Sequence, residues 1–159
     1  MIRWISFPRS SPASPMSLKV VGCFSGIHER IDSAVYELPS NAVLDVVRPC
    51  LEELGFEVES GKSFNEKINV PVLFGPNGRY EKSFHADAWH REGRYVLEVE
   101  AGRAVVNNQF LKDLLRASVM ADVDHLAIAC RNVYKRADNF SYTMNFLETI
   151  YVSGRISSR

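Results

Sequence analysis

Residues 85–101 read HADAWHREGRYVLEVEA, and the way this stretch folds decides what surrounds it. Two strand-like runs, Arg79–His90 and Arg94–Ala101, flank the turn-forming pair Glu92-Gly93, which is the pattern of a β-hairpin. In the second run Glu98 and Glu100 stand two residues apart. Side chains alternate along a strand, so both glutamates share one face, roughly 7 Å apart, while Leu97 and Val99 take the other. Neighbouring glutamates repel each other, and a central strand carries them only where a cation, a basic residue or solvent compensates.

The turn decides whether Asp87 joins them. A two-residue loop pairs Arg91 with Arg94 and sets Asp87 opposite Glu98, so that all three carboxylates converge. A three-residue loop sets Asp87 opposite Leu97, on the wrong face unless a bulge corrects it. Converging carboxylates are hard oxygen ligands of the kind Mg²⁺ or Mn²⁺ takes, with the Val99 backbone carbonyl as a further donor. An ion held there polarises a phosphodiester and makes a nucleophile of a bound water. The ordinary alternative is a set of surface acids on a half-exposed sheet. The apolar run Tyr95-Val96-Leu97 weighs for the metal site.

Upstream, Val70–Phe74 reads as a strand and Gly75-Pro76-Asn77-Gly78 as a turn, completing a β-meander. Ser40 is placed to cap a helix carrying Val43, Leu44, Val47, Leu51 and Leu54 at helical spacing, kinked at Pro49 and stopped by Gly55. Phe56–Glu59 alternates as a strand. Gly26–Leu38 reads as a short helix or an irregular segment, and Leu18–Phe24 as strand-like. Downstream, Asn107–Ala121 is an amphipathic helix with Phe110, Leu111, Leu114, Leu115 and Val119 inward. His125–Arg131 is then a buried strand, parallel to Arg94–Ala101 by a right-handed crossover. A last helix, about Asn139–Val152, offers Phe140, Met144, Leu147 and Tyr151 to the core.

The chain of 159 residues, 46% hydrophobic and 24% charged, suits one domain with a real core. Residues 6–15 hold three prolines and four serines. Residues 1–15 are therefore expected to be a flexible arm, 16–153 the domain and 154–159 a tail. Met16, at the edge of the arm, is a candidate translation start that the intact mass of the native protein tests. No apolar run reaches the roughly 18–20 residues of a membrane helix, and no signal-peptide core follows Arg3, which gives a cytoplasmic expectation. Cys23, Cys50 and Cys130 are widely spaced, without a CxxC pair, and are expected to be small buried apolar residues rather than a disulfide framework.

Net charge is zero, which excludes a strongly basic nucleic-acid-binding protein. The distribution is uneven: 11 Lys/Arg against 14 Asp/Glu in residues 1–102, and 8 against 5 in residues 103–159. An acidic centre beside a basic flank suits a metal site facing a polyanion. Arg103, Asn107, Asn108, Lys112 and Arg116, around the start of the helix after the acidic strand, are candidate nucleic-acid contacts, with Arg131, Lys135 and Arg136 further along. Such residues more ordinarily form a solvated face, and Asn107 an N-cap. His85 and His90, five apart on a strand, point opposite ways and make a poor zinc pair, although His85 shares Asp87's face. Trp4 and Trp89 are read as packing residues rather than base-stacking ones.

Taken together, Asp87, Glu98-x-Glu100, Ala101-Gly102, Asn107-Asn108-Gln109 and Asp113-Leu114 resemble the PD-(D/E)xK nuclease superfamily. Within it, the segment is most similar to BamHI- and BglII-type restriction endonucleases, in which Glu or Gln replaces the motif lysine and an Asp-Leu pair follows on the next helix. Ala86 stands where the superfamily often has Pro. The resemblance implies an α/β, restriction-endonuclease-like three-layer core with a mixed sheet, an antiparallel hairpin plus a parallel strand, flanked by helices. It also implies a Mg²⁺- or Mn²⁺-dependent endonuclease acting on DNA. Asp87 and Glu98 would be metal ligands, and Glu100, in the lysine position, would activate or orient the attacking water. The superfamily often adds an acid from an early helix, for which Glu29, Glu37, Asp45 and Glu52 are the candidates. A homodimer would serve double-strand cleavage. The alternative is a non-catalytic nuclease-fold module that binds nucleic acid or a partner protein.

Overall fold

The computed structural model describes residues 1–101 and 108–154. The chain is α/β, and a mixed four-stranded sheet lies at its centre. Its strands are β1 (Glu57–Val58), β4 (Ala88–His90), β5 (Tyr95–Glu100) and β6 (His125–Cys130), in the spatial order β1-β4-β5-β6. β4 is antiparallel to both β1 and β5, and β6 runs parallel to β5, as the crossover through the intervening helix requires. β6 is one of the two edge strands, with β1 at the other edge, and is only half-buried.

The expected long strand Arg79–His90 is two strands. β2 (Ile68–Phe74) and β3 (Tyr80–Ala86) pair only with each other, and at Asp87 the chain bends and passes into the central sheet as β4. The turn between β2 and β3 holds Asn77 and Gly78 at positive φ, a conformation these two residue types accept at low cost.

The turn at 91–94 closes through the Arg94 N–H, which donates to the Arg91 carbonyl at 3.0 Å. His90 Nδ1 accepts from the Gly93 N–H at 2.8 Å, so this histidine braces the turn. Register runs Ala88↔Leu97, Trp89↔Val96 and His90↔Tyr95. That is the register of the two-residue loop, and one step further it sets Asp87 opposite Glu98.

Alternation along β5 builds two cores. Tyr95, Leu97, Val99 and Ala101 pack under α1 (Pro15–Gly26) and α3 (Ser40–Glu53). Val96, with Trp89, packs against Ala117 and Met120 of α4 (Gln109–Val119) and its exit, and against Val70 and Ala86. Helices therefore cover both faces. Full burial of side chains such as Leu97 and Val96 contributes about 1.5–3 kcal/mol each.

The run Leu18–Phe24 lies inside helix α1 and is not a strand. Ser14 caps it, accepting from the Ser17 N–H at 3.1 Å, and Pro15 takes the first helical position. The buried residues Val20, Cys23 and Phe24 follow helical spacing. A short helix, α2 (His28–Ile31), follows. α3 has its expected buried face of Val43, Leu44, Val47 and Leu51, and Gly55 ends it at φ +95°. The helix continues through Pro49. Ser40 does not cap it: its hydroxyl accepts from the Ala101 N–H at 3.0 Å, tying α3 to the end of β5.

Cys23 and Cys50 form a disulfide across the α1–α3 contact, with Cα atoms 5.6 Å apart. This corrects the expectation of three unpaired thiols. Linear spacing carried no sign of it, because the pairing depends on two helices packing side by side. Cys130 is unpaired.

α4 is rotated relative to expectation. Phe110, Asp113 and Ala117 face inward, whereas Leu115 is 66% and Val119 51% exposed. A face drawn through Phe110 takes the residues three and seven further on, and it carries Asp113 under the helix. β7 (Val133–Tyr134) and β8 (Ala137–Asp138) form a small hairpin before α5 (Asn139–Val152). On α5, Phe140, Met144, Leu147 and Tyr151 are half-buried, and the fully buried positions are Asn139 and Thr143.

Residues 1–13 lack helix and strand but are docked on α5. Arg3 bridges Asp138 at 3.0 Å and Ser141 at 2.8 Å and lies over Phe140; Phe7 stacks on Tyr151; Arg9 pairs with Glu148. No described helix is long and apolar enough to cross a membrane. Of the expected tail, residues 155–159 lie outside the described residues.

Candidate active site

β5 ends with Glu98 and Glu100 on the face beneath α4. Asp87, at the bend where the chain changes sheets, completes the group. Its Oδ2 accepts from the Val99 N–H at 2.7 Å, so the backbone between the two glutamates orients the third acid. The N–H and C=O of a strand residue point to the same side, so the Val99 carbonyl also faces the Asp87 side of β5.

These acids are poorly solvated and repel one another. Burial, reinforced by the charges of Asp87 and Asp113, pushes Glu98 up to about 9, with Arg116 opposing. Burial pushes Asp87 up to about 6 against the Val99 hydrogen bond, and Glu59 and Asp113 add to the rise. Glu100 and Asp113 form a carboxyl pair within hydrogen-bonding reach, and burial raises both. Asp113 Oδ2 is buried without a hydrogen-bond partner. A desolvated oxygen of this kind is costly unless a proton or a cation satisfies it.

Two members had no role assigned from sequence. Asp113 entered only as part of the Asp113-Leu114 pair of the resemblance, and its place three residues after Phe110 puts it on the inward helical face. Glu59 had no signal, because the β1–β4 pairing that brings it beside Asp87 is long-range. The Glu59 N–H donates to the Asp87 carbonyl at 2.8 Å. The early-helix candidates are elsewhere: Glu29, Glu37, Asp45 and Glu52 are exposed, and Asp45 pairs with Arg48. The early acid of this cluster comes from a strand end.

Of the basic flank, Lys112 and Arg116 act on the acids, Lys112 on Glu100 and Asp113 and Arg116 on Glu98 and Asp113. Arg116 also lies 5.6 Å from the Phe84 ring centre. Arg131 is turned to the Leu38 carbonyl and the Tyr134 ring, and Lys135 to that same ring. Asn108 is exposed, at φ +53°, in the N-cap position of α4. Arg103 and Asn107 lie outside the described residues. His85 is exposed on β3, beyond the bend from Asp87. Trp89 is buried with Arg91 stacked over it, a packing role, while Trp4 is half-exposed.

The donor set suits a hard divalent cation: every member is a carboxylate, one oxygen is orphaned, and the acids' own repulsion is the cost a cation would relieve. Among the described residues, no three His, Cys, Asp or Glu side chains stand close enough to enclose an ion as placed. A surface cavity of about 430 Å³ lies by Trp89, Tyr80 and Arg91, and another of about 580 Å³ lies along α5; neither is lined by the acids. No protein family, curated protein or solved structure matches the chain.

Proposed function

We propose that the protein is a Mg²⁺- or Mn²⁺-dependent hydrolase of DNA phosphodiesters built on a restriction-endonuclease-like core. The observation that carries this reading is that Asp87, Glu98 and Glu100 share one face of adjacent strands and act on one another's charge, together with the orphaned Asp113 oxygen. The order of acidic hairpin, helix and parallel strand supports it.

In this reading Asp87, Glu98 and the Val99 carbonyl hold the ion. When bound, the ion supplies Lewis acidity toward the phosphate and lowers the pKa of a water. Glu100, paired with Asp113, orients that water and takes its proton. Lys112 and Arg116 hold the nucleic-acid backbone at the rim, with Asn108 beside them and Arg103 and Asn107 as further candidates. Cleavage of both strands calls for two copies of so small a domain, hence a homodimer on DNA.

Incubation of plasmid with Mg²⁺ or Mn²⁺ tests this directly. Wild type should nick or linearise it and Glu98→Ala should not; equal cleavage by both, or by neither, overturns the reading. A second reading, a non-catalytic module of the same fold, is favoured by the absence of an ion-enclosing trio among the described acids. It is separated by heat denaturation, because an ion that binds the folded state raises the melting temperature, whereas a dead module does not respond.

A further inference from the structure

The registers Val58↔Ala88 and Ala88↔Leu97 align β1, β4 and β5. One step further along, Glu59, Asp87 and Glu98 stand at the same level on three adjacent strands. The Glu59 N–H to Asp87 carbonyl bond, 2.8 Å, continues the pairing to that level. Residues directly opposite share a face, so the Glu59 carboxylate lies on the side of Asp87 and Glu98.

This row has a cation at its end. Lys67 Nζ pairs with Glu59 Oε1 at 2.5 Å. Both partners are held in place. Arg48 donates to the Glu59 carbonyl at 2.8 Å. Lys67 follows a 3₁₀ turn, Phe64–Glu66, locked by reciprocal capping between Ser63 and Glu66. The Lys67 side chain is 25% exposed against 10% for Glu59, so the ammonium is the outward member of the pair. Its charge also acts on the Asp87 carboxylate. Lys112 and Arg116 reach the acids from α4, and Lys67 comes from the start of β2.

Resting on the phosphodiesterase reading, we propose that Lys67 contacts substrate, its ammonium, steered by Glu59, binding a non-bridging oxygen of the phosphodiester presented to Asp87 and Glu98. A row of carboxylates repels a phosphate. A fixed, partly exposed cation at its end offsets that repulsion where the anion must arrive, and is already oriented when charge develops in the transition state.

The competing role for Lys67 is to neutralise Glu59 and nothing more, and a double variant separates the two. Cleavage with Mg²⁺ and binding of a fluorescein-labelled DNA duplex with Ca²⁺ in place of Mg²⁺ are measured for wild type, Lys67→Gln, Lys67→Arg and Glu59→Gln/Lys67→Gln. Lys67→Gln should lower kcat/KM by about 10²-fold and weaken binding measurably, and Lys67→Arg should keep most of both. The double variant removes both charges, so it should melt near wild type yet remain as impaired as Lys67→Gln. Wild-type cleavage and binding in the double variant, or in Lys67→Gln itself, overturns the proposal. A wild type that binds DNA through Lys67 but cleaves nothing overturns the hydrolase reading alone. One that neither binds nor cleaves overturns both.

Discussion

Asp87 Oδ2 accepts the Val99 N–H at 2.7 Å, so an acid at a sheet-to-sheet bend is aimed by the backbone of the neighbouring strand. The bond separates two substitutions. Asp87→Asn keeps an oxygen to accept it and should leave the fold near wild type while abolishing cleavage. Asp87→Ala leaves a half-buried N–H unpaired and should cost about 1–3 kcal/mol. Urea denaturation of the two variants checks the difference, and equal stability would deny Val99 its orienting role.

Stability should depend on pH in a direction set by the acids. Glu98 has a folded value near 9 against an ordinary 4.5, so the folded state holds the extra proton between those values. Its contribution is present below pH 4.5 and is lost as pH rises toward 9. Asp87, raised to about 6 from 3.8, adds a loss in the lower part of that window. Denaturation in EDTA at pH 5, 7 and 9 should therefore show falling stability from these groups, and Glu98→Gln should flatten the slope.

Mg²⁺ should reverse that trend, because an ion favours the charged carboxylates. The Mg²⁺-induced rise in melting temperature should grow with pH and vanish in Glu98→Gln. The same variant should lose cleavage by about 10²-fold or more, with a metal-free stability within about 1 kcal/mol of wild type or higher. Strong destabilisation with cleavage intact would make these acids structural.

Thiol counting tests the α1–α3 staple. The denatured, unreduced protein should show one free thiol, Cys130, and the reduced protein three. Cys23 and Cys50 are 27 residues apart, and opening that loop should cost about 3 kcal/mol of stability.

The rotation of α4 predicts an asymmetric response to substitution. Leu115→Glu should shift stability by about 0.5 kcal/mol or less, whereas Phe110→Ala should cost about 3–5 kcal/mol. Phe110 is fully buried and meets Phe146 of α5 edge-on at 5.5 Å. Comparable losses at the two positions would put Leu115 back inside.

What the sequence by itself determined were the features that rest on neighbours in the chain. Glu92-Gly93 between two strand-like runs specified a hairpin but left two registers open, and the structure takes the two-residue loop that faces Asp87 with Glu98. The 3.6-residue spacing of Val43, Leu44, Val47 and Leu51 specified the buried side of α3, and a helix between two strands specified a parallel β6. The tertiary structure alone decided the rest. A short apolar run such as Leu18–Phe24 satisfies strand and helix alike, and packing on α3, with Ser14 and Pro15 at its start, selects helix. Arg79–His90 reads as one strand-like run, and only the tertiary structure divides it at Asp87 between two sheets. Glu59, Asp113 and the Cys23–Cys50 pair are joined to their partners by contacts distant in sequence. Local pattern specifies which side of an element is apolar, but the partner that side meets is chosen by the free energy of the whole core.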